Sequence, residues 1–235
     1  MNHNELKINV SDSHQREGIF KLVFASQLSL GDDFLKYQPK TETEKKFKDM
    51  IETAIKSGLK DFWRPKYDPS FNKAGTGICY HPGMEVAVGK SYNWWYKTAK
   101  NFCPERGSRL GTKQEYIAFL AVLIKELVNS GKSVEWAWNA VCNDSKELGN
   151  YCNFAYRKHA FEYTGSREIC GFLDLANTYK ILAEDEENGG LWLAGGDYTN
   201  LSYEFPLAGL YHFVDRRFDF NFSCGWLVLE DCPVC

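Results

Sequence analysis

Residues 191–230 decide the fold, and they read LWLAGGDYTNLSYEFPLAGLYHFVDRRFDFNFSCGWLVLE. Short apolar runs stand at both ends of this stretch, at 191–194 and at 226–229, and each run adjoins glycine. Their length and composition predict two buried strands. We expect these strands to frame the residues between them, which have a different character.

The framed segment mixes aromatic and polar side chains. Rigid amphipathic rings provide contact area at low entropic cost, and interleaved polar groups provide directional hydrogen bonds. An alternative stays open for Phe218, Phe220 and Phe222, because a strand of period two would turn all three rings into the core. The composition predicts a ligand-binding face formed by Asp197, Tyr198, Tyr203, Glu204, Phe205, Tyr211, Phe213, Asp215, Arg217, Phe218, Asp219, Phe220 and Asn221.

The composition narrows the classes of partner. With 235 residues, of which 44% are hydrophobic, the chain can bury a full core. A net charge of -3 provides no basic field, so we expect no nucleic-acid partner. We also expect no membrane insertion, because the longest apolar candidate, 117–128, is interrupted by Lys125 and Glu126. The first residues do not resemble a secretory signal peptide, which leaves a virion-associated or an intracellular location open.

Eight cysteines are scattered through a chain that is too large to need disulfide bridges, so buried thiols are expected. Cys142 and Cys152 are close enough in sequence to pair across a loop. Cys232 and Cys235 have CxxC spacing, but no helix follows them to lower a thiol pKa. No second CxxC and no paired histidines complete a zinc site. The sequence therefore predicts no metal and no redox centre.

Several helices can be located from their caps. Thr41 with Glu44 and Thr112 with Glu115 have the spacing of capping boxes, which predicts helices at 41–57 and 113–129. Ser91 is expected to begin a third helix, at 92–102. In contrast, Trp136 and Trp138 stand two apart, as on a strand, and 62–83 is interpreted as an ordered loop.

Five segments occur in a characteristic order: a Trp-rich helix ending in cysteine (91–103), RLGTKQEY (109–116), CGFLDLANTYKI (170–181), LWLAGGDY (191–198) and CGWLVLE (224–230). This order resembles the C-type-lectin-like fold, in the branch shared by formylglycine-generating-enzyme-like proteins and the variable proteins of diversity-generating retroelements. The resemblance covers 84–230. It departs from the family pattern where Gly111 stands for proline, Ile181 for tryptophan and Trp226 for arginine.

The resemblance implies an α+β fold of this type, the formylglycine-generating-enzyme-like variant. Residues 84–235 would form the ligand-binding domain, with two helices and a small, mostly antiparallel sheet that contains both framing runs. Residues 1–83 would form an N-terminal extension packed on that domain.

The family contains both enzymes and binders. A copper-dependent formylglycine-generating oxidase needs a cysteine pair after the first framing strand, but 197–223 contains no cysteine and Cys224 stands alone. No histidine cluster suits an iron site, and no Glu-Pro-Asn-type loop suits calcium. We therefore expect no catalytic residue and no cofactor.

The variable proteins of the branch imply a different role. In them a C-terminal region, here about 191–230, is diversified by a retroelement to recognise a protein or cell-surface ligand. A formylglycine-generating-enzyme-like oxidoreductase, or a degenerate non-catalytic member of that family, remains the alternative.

Overall fold

The computed structural model describes residues 4–10, 16–72, 77–148, 168–175, 178–184, 190–196, 202–204, 206–213 and 223–230. Within these ranges the chain has a mixed α+β fold. The helices are α1 (Glu42–Lys56), α2 (Tyr92–Phe102), α3 (Lys113–Asn129) and α4 (Val134–Cys142). The strands are β1 (Glu5–Val10), β2 (Arg16–Val23), β3 (Phe62–Pro65), β4 (Ser70–Phe71), β5 (Ile78–Cys79), β6 (Arg109–Leu110), β7 (Tyr179–Ile181), β8 (Leu191–Ala194), β9 (Leu210–Phe213), β10 (Ser223–Gly225) and β11 (Leu227–Glu230).

The largest sheet of the described residues has five strands in the order β1-β2-β3-β11-β6. All four residues of β3 are buried, and β3 pairs with β2 on one side and β11 on the other. The interpretation of 62–83 as a loop is therefore wrong for β3, and β4 pairs with β5 in the same region. Residues before Met84 thus supply three of the five strands, β1, β2 and β3. Strand β3 pairs with the amino-terminal hairpin on one side and with the last strand, β11, on the other.

The two framing runs lie in different sheets, which corrects the expectation of a single shared sheet. The first run forms β8 in a four-stranded sheet with the order β10-β7-β8-β9, whereas the second forms β11 in the five-stranded sheet. The extended segment 223–230 joins the two sheets: β10 pairs with β7, and β11 pairs with β3 and β6. At the crossover the Trp226 N–H donates to the Ile181 carbonyl at 3.0 Å, and the Trp226 carbonyl accepts from the Gly111 N–H at 2.8 Å.

Alternate side chains of these strands enter two hydrophobic cores. Val228 belongs to the core formed with α1, α3 and α4, whereas Leu227 and Leu229 belong to the core formed with α2. In β8, Ala194 faces the first core while Leu193 faces the second. Both runs are therefore buried on two faces, which is why they lack the polar alternation of a half-exposed strand.

The capped helices begin where the sequence predicts them. Both capping boxes form: the side chains of Thr41 and Thr112 accept from the backbone N–H groups of Glu44 and Glu115, and each glutamate accepts in return. None of the described helices is long and apolar enough to cross a membrane.

Helix α4 replaces the strand that Trp136 and Trp138 suggested, and it adds a helix to the two expected after Met84. Ser133 caps it by accepting from the Trp136 N–H. The fully buried Trp138 donates its indole N–H to the Phe34 carbonyl at 2.9 Å. Burial of Ala137, Trp138 and Val141 on one helical face decides the conformation, and that face is not visible from the two tryptophans alone.

Candidate binding groove

The side chains of three residues of the predicted binding face are described: Tyr203, Glu204 and Tyr211. Phe213 ends β9, and only its backbone is described. The rest of the predicted face lies outside the described residues, as does Phe222, so neither interpretation of the 218–222 aromatics is tested. The predicted residues outside the description are Asp197, Tyr198, Phe205, Asp215, Arg217, Phe218, Asp219, Phe220 and Asn221.

The structure brings the three described residues together on one open groove of about 1090 Å³. Tyr203 is 62% exposed, although large apolar side chains are normally covered, and Glu204 beside it is also exposed. Tyr211 is half-buried. Tyr211 therefore shares one surface with the adjacent residues Tyr203 and Glu204.

Tyr211 differs from Tyr203 because it belongs to a paired strand. It lies opposite Leu193 in the antiparallel pair β8–β9, and its ring packs edge-on against Tyr179 with centroids 6.0 Å apart. Burial raises the pKa of Tyr211 to about 12. Tyr211 thus contributes both to the groove and to the core beneath it, whereas Tyr203 contributes to the surface alone.

Trp192 lies where the groove meets a second cavity of about 750 Å³. The Lys113 ammonium sits 3.9 Å from the centre of a Trp192 ring, and the His212 ring is 4.9 Å away. Lys113, Asp49 and Met50 also line both cavities. The two cavities therefore adjoin along one wall and offer an aromatic surface beside charges of both signs.

Helix α1 forms the opposite wall, which the sequence did not indicate as part of a site. Its groove-lining residues come mainly from its first two turns: Glu42, Thr43, Lys46, Phe47, Asp49 and Met50, with the cap residue Thr41 before them. The capping box located the start of α1, but no local signal showed that this helix faces Tyr203, Glu204 and 206–211 across the groove.

The buried side chain of Glu44 holds the start of α1, which forms this groove wall, to the end of α4. One carboxylate oxygen accepts from the backbone N–H groups of Lys40 and Thr41, and the other accepts from the Asn143 amide at 2.8 Å. Asn143 is the C-cap of α4. The start of α1 and the end of α4 are therefore held together beside the groove.

The groove wall that carries Tyr203 is also held on both sides. The Ser202 hydroxyl donates to the Asp144 carboxylate, and the Leu207 N–H donates to the Ser145 hydroxyl at 2.9 Å. The Leu207 carbonyl accepts from the buried Tyr116 hydroxyl at 3.0 Å. These bonds fasten 202–204 and 206–208 to α3 and to the residues after α4, so Tyr203 and Glu204 project from a fixed support.

A second polar group of residues is buried away from the groove and includes the candidate nucleophile. Lys180 pairs with the Asp68 carboxylate and donates to the Thr178 hydroxyl at 3.0 Å. Thr178 donates to Asp68 at 3.0 Å, which leaves its oxygen as the acceptor for the Cys224 thiol at 3.0 Å. Asp174, in a left-handed conformation with φ of 55°, accepts from the Asp68 N–H at 3.1 Å.

Cys224 is fully buried, and burial raises the pKa of its thiol to about 12. A thiol with that pKa is protonated at neutral pH and is a poor nucleophile. The nearby Lys180 acts in the opposite direction but does not overcome the loss of solvent. Across the described ranges, no three side chains of the metal-binding types come together as a candidate metal site.

No family model matches this chain. No curated protein shows detectable sequence similarity to it either.

Proposed function

We propose that this chain is a receptor-recognition protein on a C-type-lectin-like scaffold of the formylglycine-generating-enzyme-like variant. In this proposal a retroelement diversifies the C-terminal region at about 191–230, and the ligand is a protein or cell-surface molecule. The observation that carries the proposal is the exposure of Tyr203, 62%, on a groove that it shares with Glu204 and Tyr211.

A single exposed ring is common on protein surfaces, but an exposed tyrosine on a groove also suits a binding surface. Folding alone favours polar side chains at loop positions, whereas binding surfaces use tyrosine as a preferred anchor. Tyr203 is 62% exposed, yet the nearby backbone of Leu207 is held by Tyr116 of α3 and by Ser145, which follows α4. A rigid support lowers the entropy lost on binding, which favours recognition.

The oxidoreductase alternative receives less support. Its reactive cysteine would have to be Cys224, which is fully buried with a pKa raised to about 12. The thiol is also held as a donor to Thr178. We therefore assign Cys224 a structural role within this proposal, with no catalytic residue and no cofactor.

Sequencing the encoding locus tests the diversification directly. We expect a reverse-transcriptase gene nearby and a near-copy of the segment that encodes 191–230, differing from it at adenines. Independent isolates should vary at the predicted face and not in α1, α3 or α4. A locus that lacks both elements and has invariant codons at these positions would contradict diversification. The protein would then be a recognition protein of fixed specificity.

A randomised library tests recognition at the level of the protein. The thirteen predicted positions are randomised together in the full chain, and folded members are counted by protease resistance on a display platform. A matched library randomises an equal number of core positions in α3 and β11. We expect most of the first library and almost none of the second to fold. Equal collapse of both libraries would assign the predicted face to the core.

A further inference from the structure

Arg64, in β3, is a buried cation with two guanidinium nitrogens that have no hydrogen-bond partner within the described residues. It is 2% exposed, and its Nε and Nη1 atoms have no partner among the described residues. Its guanidinium lies over the ring of Phe119 at 4.4 Å and that of Phe172 at 5.1 Å. Ring faces offset part of the lost hydration, but they accept no conventional hydrogen bond from these two atoms.

Two further unpartnered donors lie beside Arg64. Tyr80 is 1% exposed with no partner for its hydroxyl, and the indole N–H of the buried Trp226 has none within the described part of the chain. All three residues line one small cavity of about 10 Å³, together with Asp68 and Cys224. Native proteins seldom leave several buried polar atoms unsatisfied around one space, so an occupant is indicated.

The size and charge of the cavity select the occupant. About 10 Å³ is close to the smallest volume that holds one water molecule. Asp68 pairs with Lys180, and both Asp68 and Asp174 act electrostatically on Arg64, so carboxylates already lie near both cations. A neutral guest avoids the cost of another buried charge, and Asp68 offers an acceptor for its hydrogens.

We propose that this cavity is a binding site for one internal water molecule, which accepts from Arg64 and bonds to the Tyr80 hydroxyl. The water links Arg64 in β3 to the buried polar network that joins Cys224 in β10 to Thr178 and to Lys180 in β7. This inference does not depend on the proposed function, since it concerns the scaffold alone.

Two tyrosine variants test the water in the full chain. Tyr80→Phe removes a partner of the water, and Tyr116→Phe is the matched control because its buried hydroxyl donates to the Leu207 carbonyl. We expect each variant to lower the Tm by about 2–4 °C, which is the effect of losing one buried hydrogen bond in a chain of this size. If only the control loses stability and Tyr80→Phe is neutral or stabilising, the cavity is dry and the proposal is overturned.

Crystals of the full chain soaked in sodium bromide identify the occupant. We expect one solvent peak within hydrogen-bonding distance of Arg64 and Tyr80, without anomalous signal from bromine. A bromide peak at that position would show that the cavity binds an anion and would overturn the proposed water site. An empty cavity would also overturn the proposal.

Discussion

The groove wall at 202–204 and 206–211 and the buried group around Asp68 both contain polar side chains, yet they lie in opposite environments. Tyr203 and Glu204 are exposed at the groove, whereas Asp68, Thr178, Lys180 and Cys224 are almost completely buried. Within the described residues, Asp68, Thr178, Lys180 and Cys224 bond to one another, whereas the exposed pair can contact a ligand or solvent. The presence of polar side chains therefore does not distinguish a binding surface from a polar core. The burial of those side chains in the folded protein makes the distinction.

The strongest contrast between the two regions concerns the pair Asp68–Lys180. Lys180→Met leaves a buried carboxylate without its cation, and we expect the free energy of unfolding to fall by about 3–5 kcal/mol. Chemical denaturation of the full chain measures this loss. Glu135→Gln is the control, because its bond to Lys40 lies on the surface and should contribute little. If both substitutions lowered the free energy of unfolding equally, the buried pair would contribute no more to stability than the surface pair.

Alkaline pH should weaken the buried region through Cys224. Its pKa is raised by burial from an ordinary value of 9.0 to about 12 in the folded chain, so the folded state holds the proton more tightly. The associated stability is fully present below pH 9 and is lost as the pH rises towards 12. Between pH 8 and pH 11 we expect titration of the Cys224 thiol to lower the free energy of unfolding by on the order of 2–3 kcal/mol.

Cys224→Ala isolates this contribution in urea titrations at both pH values. Tyr37, Cys79 and Tyr211 also have raised pKa values, so the wild-type slope contains more than one group. The variant should lose less stability between the two pH values than the wild type. Identical slopes would show that the Cys224 thiol titrates normally.

Truncation of Tyr211 should cost less stability than a change in the buried group and more than a change at the exposed Tyr203. Because its ring is half-buried against Tyr179 and the core, we expect Tyr211→Ala to cost about 2 kcal/mol, less than a fully buried aromatic. Thermal unfolding with Tyr211→Phe as the control separates the ring from its hydroxyl. A cost near zero would make Tyr211 a surface residue like Tyr203.

The smallest effect is expected for Tyr203. Tyr203→Ala removes an exposed ring with little packing, so the free energy of unfolding should change by less than about 0.5 kcal/mol. Paired measurements with Tyr211→Ala in the same buffer make the comparison direct. A loss as large as that of Tyr211→Ala would mean that Tyr203 stabilises the fold and would weaken its assignment as a ligand anchor.

Part of the fold followed from local patterns. The capping boxes located α1 and α3, and the glycine-flanked apolar runs located β8 and β11. The strand predicted from Trp136 and Trp138 was wrong because two residues define no period, and burial along α4 decided the helix. The groove was predicted only on one side: the described residues of the predicted face do line it, but the wall from α1 had no signal in the sequence.

The sequence by itself determined where helices begin and which short runs are buried, because caps and apolar runs act over a few neighbouring residues. Only the tertiary structure decided that β3 lies beside β11, that 223–230 joins two sheets, and that α1 faces Tyr203. It also decided that Lys180 meets Asp68, which is 112 residues earlier in the chain. Such pairings depend on which buried surfaces fit one another across the whole chain, and local residue order does not encode that fit.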